Sequence, residues 1–230
     1  MVTTITDLAW AAREVGGSHV RVRALCSGNA DPHFVSPTPS LVAAVGDADL
    51  FVEIGLSLEI WSERLLDGAG NPGVRPGSPG YVLASQGIAT LERPTILSRS
   101  QGDLHPEGNP HYTLDPRNGL IVAAAIRARL RELGSAIEDD FVTDLKTKIG
   151  EWERRSRGWK GVKIVAHHKQ WEYLARWLGL EIVGYIEERP GIPPSPRHLR
   201  ALMLAIQTEE VALILHSTYV DPRSAIGLGE

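Results

Sequence analysis

The chain has 230 residues and a formal net charge of −4, with 43% hydrophobic and 23% charged residues. These proportions are ordinary for a globular protein, and the length allows one large domain or two lobes of about 100 residues each. The net charge argues against nucleic acid as a partner, because a nucleic-acid-binding face is basic. The single cysteine, Cys26, excludes an intramolecular disulfide and a cysteine-rich metal site.

Segments that would direct a chain into or across a membrane have recognisable sequence patterns. Apolar runs stay below the ~18 residues of a membrane span, so we expect no transmembrane segment. The opening MVTTITDLAW has no basic segment followed by an apolar one, so we expect no signal peptide in this chain.

Strand and helix signals alternate along the first third of the chain. Thr38 and Pro39 predict a helix start, with threonine as the cap and proline at the first helical position. The alternation predicts a largely parallel sheet covered by helices on both faces. The predicted strands lie at 1–5, 19–26, 50–55 and 81–87, and further helices at 7–15 and 58–68.

The middle of the chain has a helical pattern from Pro116 to about Trp152, with a break signal at Gly134-Ser135. A helix of this length would span roughly 50 Å at 1.5 Å per residue, which is longer than one small lobe. We therefore predict one long connecting helix, 114–158, between an N-terminal α/β lobe, 1–113, and a C-terminal α/β lobe, 159–230.

The last third resumes the alternation of strands and helices. Ser195 and Pro196 predict a second helix start of the same kind as the first. The predicted strands lie at 161–167, 181–186 and 211–218, and the helices at 169–178 and 196–208. The predicted fold class is therefore α/β, as two lobes with mostly parallel sheets.

Polar side chains follow several of the predicted strands. His33, His168 and Asp221 each come after a strand, and His111 stands just before the connecting helix. Open α/β sheets bind ligands outside the carboxyl ends of their strands, so we expect these four side chains where two facing lobes would meet. Three imidazoles and one carboxylate suit Zn²⁺ or Mn²⁺.

Each of these residues also has a plainer interpretation. A single loop histidine is more often structural or solvent-exposed than a ligand, and Asp221 could begin a turn before the following proline. The adjacent His167 and His168 would point in opposite directions at a strand end, so at most one should face the ion. For His105 and His216 a structural role comes first, with transient metal capture as an alternative for His105.

The motifs at these places resemble the metal-binding solute-binding proteins of zinc and manganese ABC importers, and the likeness covers nearly the whole chain. Its motifs are NADPHFVSPTPS followed by DADL, then GNPHYTLDPRN, HHKQWEYLARWLGL and YVDPRSA. Carried over residue by residue, the resemblance implies the metal ligands His33, His111, His168 and Asp221. It favours His168 over His167, because His168 directly precedes the Lys-x-aromatic segment.

The resemblance implies a carrier rather than an enzyme. Such a periplasmic or otherwise extracytoplasmic protein captures a divalent ion, Zn²⁺ in preference with Mn²⁺ as the alternative, and delivers it to the membrane permease of an ABC importer. The family usually continues for several dozen residues beyond the fourth ligand, so the C-terminal lobe is expected to be shortened or truncated.

Two other functions remain open from the sequence. A zinc-dependent hydrolase is disfavoured by a fourth protein ligand, because catalytic zinc keeps an open position for water. A metal-stabilised adhesin with the same fold is the second alternative.

Overall fold

The computed structural model describes residues 1–94, 105–138, 140–189 and 191–229. The chain divides into two compact units, and it passes from one to the other more than once. Unit 1 comprises residues 1–89 and 116–149, and unit 2 comprises residues 90–115 and 150–230.

Unit 1 is built on a parallel sheet with the strand order β2-β1-β3-β4. Its apolar core includes Val2, Phe51 and Leu65, which are almost completely buried. This confirms the predicted parallel sheet. The elements are β1 (Val2–Thr3), α1 (Thr6–Gly16), β2 (Arg23–Ala24), α2 (Pro39–Gly46), β3 (Phe51–Glu53), α3 (Ser62–Ala69), β4 (Tyr81–Leu83), α4 (Pro116–Glu132) and the first part of α5 (Asp140–Arg155).

The start of α2 agrees with the prediction, whereas the start of α3 comes later than predicted. The Thr38 hydroxyl accepts a hydrogen bond from the N–H of Leu41 at 3.4 Å, and Pro39 is the first helical residue. The segment 55–57 has positive φ angles of 77°, 54° and 61°, which a right-handed helix does not allow. The helix predicted from residue 58 therefore begins only at Ser62.

The prediction of one continuous connecting helix is wrong, because two separate helices occupy this part of the chain. Helix α4 ends at Glu132 and α5 begins at Asp140. Gly134 has a φ of 75°, and the N–H of Ser135 donates to the carbonyl of Leu130 at 2.9 Å. A left-handed glycine followed by such a bond is a common helix end. The Gly-Ser break signal in the sequence thus marks a true terminus.

Unit 2 contains a second parallel sheet, with the strand order β6-β5-β7. As predicted, Ser195 caps α7, and its hydroxyl accepts from the N–H of His198 at 3.1 Å. Helix α8 was not predicted, and its Ala225 and Leu228 belong to the core of the unit. The elements are the end of α5, β5 (Lys163–Ala166), α6 (Glu172–Leu178), β6 (Glu181–Tyr185), α7 (Pro196–Thr208), β7 (Leu213–Leu215) and α8 (Arg223–Gly229).

The described part of segment 90–115 is joined to the rest of unit 2 by hydrogen bonds to α6. The hydroxyl of the buried Tyr173 donates to the carbonyl of Asn109 at 2.9 Å and accepts from the N–H of Leu91 at 3.0 Å. His111, which follows in this segment, therefore belongs to the same unit as His168.

Among the helices of the described ranges, none is both long enough and apolar enough to cross a bilayer.

Candidate metal centre

Two of the predicted ligands are neighbours in unit 2. His168 stands two residues beyond the end of β5, and His111 directly precedes the short 3₁₀ turn Tyr112–Leu114. The centroids of the two imidazole rings lie 5.8 Å apart, and the ring planes are nearly perpendicular at 88°. Two imidazoles at this distance can direct one nitrogen each toward a common ion.

Asn109 connects the loop of His111 to the loop that follows β5. Its Oδ1 accepts from the N–H of His111 at 3.0 Å, and its Nδ2 donates to the carbonyl of Lys169 at 3.0 Å. The same amide nitrogen donates to the carboxylates of Glu92 and Glu172. Burial and the neighbouring Glu92 raise the pKa of Glu172. One buried amide thus holds both loops and bridges two acidic side chains.

Glu187 contacts both neighbouring imidazoles of the β5 loop. Its Oε2 lies 2.9 Å from Nδ1 of His168, and its Oε1 lies 3.6 Å from Nε2 of His167. Burial alone would raise the pKa of Glu187, but the hydrogen bonds from His167 and His168 outweigh burial and lower this pKa to about 2. The carboxylate is therefore ionised and accepts the proton of Nδ1 of His168. A carboxylate on the second ring nitrogen is the usual partner of a metal-binding histidine.

His167 and His168 were expected to point in opposite directions because side chains alternate along a strand, but the strand does not extend to them. Strand β5 ends at Ala166, so both histidines lie in the following loop and both rings approach the same carboxylate. Glu187 was not predicted from the sequence. The available signal was its position, two residues beyond the end of β6.

His33 lies in unit 1, in the loop after β2. Its Nδ1 lies 2.7 Å from Oδ1 of Asp31, which also accepts the backbone N–H of His33 at 3.0 Å. The indole N–H of Trp61 donates to the carbonyl of Pro32 at 2.8 Å and holds the loop. Nδ1 of His33 therefore faces a carboxylate, as Nδ1 of His168 does.

Asp221 lies in an exposed turn before α8. Its carboxylate accepts from the guanidinium of Arg223 at 2.7 Å and from the backbone N–H of Arg223 at 3.0 Å. These side-chain and backbone hydrogen bonds lower the pKa of Asp221 to about 2. The carboxylate thus has a cationic partner in this structure, and its role as a ligand stays a prediction.

The remaining histidines of unit 2 differ in their surroundings. The ring centroid of His105 lies 6.1 Å from that of His111, in an edge-on arrangement. His216 is exposed, and its Nδ1 lies 3.0 Å from the carbonyl of the next residue. Nε2 of His198 lies 2.8 Å from the carbonyl of Tyr185. Contacts with backbone carbonyls are typical of structural histidines, whereas the ring of His105 lies beside that of a predicted ligand.

Comparison with known proteins places these observations in a family. The family model ZnuA, described as the periplasmic component A of a zinc-uptake complex, matches residues 1–229. The manganese-binding lipoprotein MntA of Halalkalibacterium halodurans is 33% identical over 238 residues, which cover 96% of this chain and 71% of that protein. A crystal structure of ZnuA superposes with a TM-score of 0.80 at 25% identity, covering 99% of this chain and 86% of that one.

Other relatives are longer than this chain. The zinc-binding lipoprotein AdcA of Streptococcus pneumoniae is 24% identical over 222 residues, or 93% of this chain, and the chain spans only 44% of its length. The chain likewise spans 46% of the substrate-binding lipoprotein ScbA of Streptococcus cristatus. The iron-binding protein YfeA of Yersinia pestis is 27% identical over 216 residues, which cover 86% of this chain and 64% of that protein. The motif resemblance is thereby confirmed, and this chain belongs to the ZnuA family.

Proposed function

We propose that this chain captures one divalent transition-metal ion as cargo. The donors would be the imidazoles of His33, His111 and His168, with the carboxylate of Asp221 as a fourth ligand. We propose Zn²⁺ as the preferred ion, because three imidazoles and one oxygen make a common zinc shell. Mn²⁺ is the alternative, since it accepts the same donor types, and the named cargoes of the relatives include both metals.

The observation that carries this proposal is the pairing of predicted ligands with carboxylates. Nδ1 of His33 lies beside Asp31, and Nδ1 of His168 lies beside Glu187. Two histidines in different units share this arrangement, which orients Nε2 for a metal and raises its basicity. The proximity of the rings of His111 and His168 supports the same conclusion within unit 2.

We infer further that the loaded chain delivers its ion to the membrane permease of an ABC importer, outside the cytoplasm. The family description as periplasmic and the name of ScbA, a metal ABC transporter substrate-binding lipoprotein, support this inference. A carrier also suits the donor set better than a hydrolase, because a fourth protein ligand would take the position that catalytic zinc keeps for water.

The proposal is tested by titrating the metal-free chain with Zn²⁺ and Mn²⁺ in competition with a chromophoric chelator. We expect the chain to bind one equivalent of Zn²⁺. His111→Ala and His168→Ala should each lower the affinity by more than about 100-fold, since loss of a residue that merely hydrogen-bonds a metal ligand already costs about 10–100-fold. His216→Ala is the matched control, because this exposed imidazole lies beside the carbonyl of Ser217 and is not among the proposed ligands. If His111→Ala binds one equivalent as tightly as wild type, the proposed ligand set is wrong.

The fourth ligand needs a separate pair of variants in the same titration. If Asp221 leaves Arg223 to bind the ion, Asp221→Ala should weaken zinc binding, whereas Arg223→Ala should strengthen it a few-fold by removing the competing partner. Equal affinities for Asp221→Ala and wild type would remove Asp221 from the ligand set.

A further inference from the structure

Glu187 is held in place from several sides. It lies two residues beyond β6 and is only partly exposed, at 20% of its side-chain surface. Its Oε2 accepts from Nδ1 of His168 at 2.9 Å and from the backbone N–H of Gly191 at 3.3 Å. These bonds position the carboxylate toward the loop that carries His168.

The two imidazoles beside Glu187 meet it through different ring nitrogens. Nδ1 of His168 faces the carboxylate, so the ring directs Nε2 away from it. His167 has the reverse orientation, with Nε2 at 3.6 Å from Oε1 of Glu187 and with Nδ1 buried from solvent. A carboxylate that accepts the Nδ1 proton leaves the lone pair of a neutral imidazole on Nε2. Glu187 thus leaves Nε2 of His168 directed away from the carboxylate, whereas Nε2 of His167 faces it and the lone pair of His167 is left on the buried Nδ1.

We propose that Glu187 is a positioning residue for metal capture, which fixes the ring and tautomer of His168 and keeps His167 out of the ligand set. This inference rests on the proposed function, because it assigns the role of Glu187 relative to a bound ion. It adds a residue that was not among the predicted ligands, and it gives a physical reason to choose His168 over His167 in the HH pair.

The test measures zinc affinity of Glu187→Gln and Glu187→Ala by chelator competition, alone and combined with His168→Ala. We expect Glu187→Gln to bind one equivalent of Zn²⁺ with 10–100-fold lower affinity, the range for partners of metal ligands. In the His168→Ala background the same substitution should cause no further loss, because the positioned ring is absent. Glu209→Gln is the matched control, since Glu209 is an exposed carboxylate of unit 2 that pairs with Lys163 at 2.6 Å.

A spectroscopic readout separates positioning from a general loss of structure. With Co²⁺ as the probe, Glu187→Gln should still bind one equivalent but shift the visible d–d bands, because the ring of His168 is no longer held in one orientation. Thermal unfolding of the metal-free variants checks their folding, and the near-isosteric glutamine variant carries the test if the alanine variant does not fold.

The outcomes distinguish this inference from the proposed function. If wild type binds no stoichiometric zinc, the proposed function fails. If wild type binds tightly, His168→Ala binds weakly and Glu187→Gln equals wild type, the role of Glu187 is overturned while the proposed function stands. An equal loss from Glu187→Gln with and without His168 would also overturn it, because the effect would not pass through that ring.

Discussion

Asn109 shows at the scale of a single residue how the predicted ligands of unit 2 are held. Its side chain bonds the N–H of His111, the carbonyl of Lys169 and the carboxylates of Glu92 and Glu172. An amide suits this position because it presents an acceptor to the backbone N–H and two N–H donors, which three oxygens share. Aspartate has the same shape but no donor, and it would add a third carboxylate to the group.

We therefore predict that Asn109→Asp destabilises the chain more than Asn109→Ala at pH 7. Alanine leaves buried polar groups without their partner, at a cost of about 1–3 kcal/mol, and aspartate adds charge repulsion. The difference in stability between the two variants should narrow near pH 5, because protonation of Glu172, whose pKa is raised by burial and Glu92, removes part of the charge repulsion. Urea unfolding of both variants at the two pH values measures this. Equal stabilities at pH 7 would show that the two acidic neighbours do not act on this position.

The ligand candidates were predictable from the sequence, but their supporting contacts were not. His168 follows a strand, His111 precedes a helix, and the family motifs contain both, so both could be named as candidates in advance. The contact between Glu187 and His168 depends on the relative placement of two strand ends, which no local pattern encodes. The bond between Asp221 and Arg223 is local, yet it competes with the ligand role that the position of Asp221 after a strand and the motif suggested.

The turn between β3 and α3 illustrates the scale of an element, where one carboxylate holds an unusual backbone. Leu56 and Ser57 adopt positive φ angles of 54° and 61°, which cost free energy for residues other than glycine. Glu59 holds the turn by accepting the N–H groups of Ile54 at 2.8 Å and of Gly55 at 3.0 Å. The hydroxyl of Thr4 donates to the same carboxylate and joins the turn to the end of β1.

We predict that Glu59→Gln changes the pH dependence of stability. Burial raises the pKa of Glu59 to about 7, although hydrogen bonds from Thr4, Ile54 and Gly55 act in the opposite direction. Because the folded pKa exceeds the unfolded value of 4.5, this group contributes stability that is full below pH 4.5 and is lost as the pH rises through 7. At about 1.4 kcal/mol per pKa unit, the effect is at most about 3.5 kcal/mol.

The measurement is urea unfolding of wild type and Glu59→Gln between pH 4.5 and 7.5. The wild type should lose stability relative to the variant as the pH rises, because glutamine does not titrate. Other ionisable groups are common to both proteins and cancel in the difference, apart from their coupling to Glu59. A constant difference across this range would contradict the prediction.

Helix starts and stops were the most predictable features of the elements, since their signals are local. Thr38-Pro39 and Ser195-Pro196 begin helices, and Gly134 ends one. Strand lengths and the start of α3 were less predictable. The predicted strand 19–26 has only two residues in the sheet, Arg23 and Ala24, because its pairing depends on β1, a short strand elsewhere in the chain.

At the scale of the whole molecule, the proposed ligand set draws His33 from unit 1 and the other three residues from unit 2. A ligand that binds only the folded state stabilises it by about 2.7 kcal/mol at 100 times its dissociation constant. If the ion takes donors from both units, this stabilisation should reach both. A site built from unit 2 alone would leave local opening in unit 1 unchanged.

We predict that zinc slows amide hydrogen exchange in both units, at residues 26–34 in unit 1 and at 105–115 and 166–170 in unit 2. The exchange rate reports the free energy of local opening. Loops that carry metal ligands open less often when the ion holds their side chains. Exchange measured by mass spectrometry with Zn²⁺ and with chelator tests this, with residues 71–79 as an internal reference, since that loop holds none of the proposed ligands. In His111→Ala the protection should fall in both units together. Protection confined to unit 2 would exclude His33 as a donor, because an ion bound to its imidazole must restrain the loop that carries it.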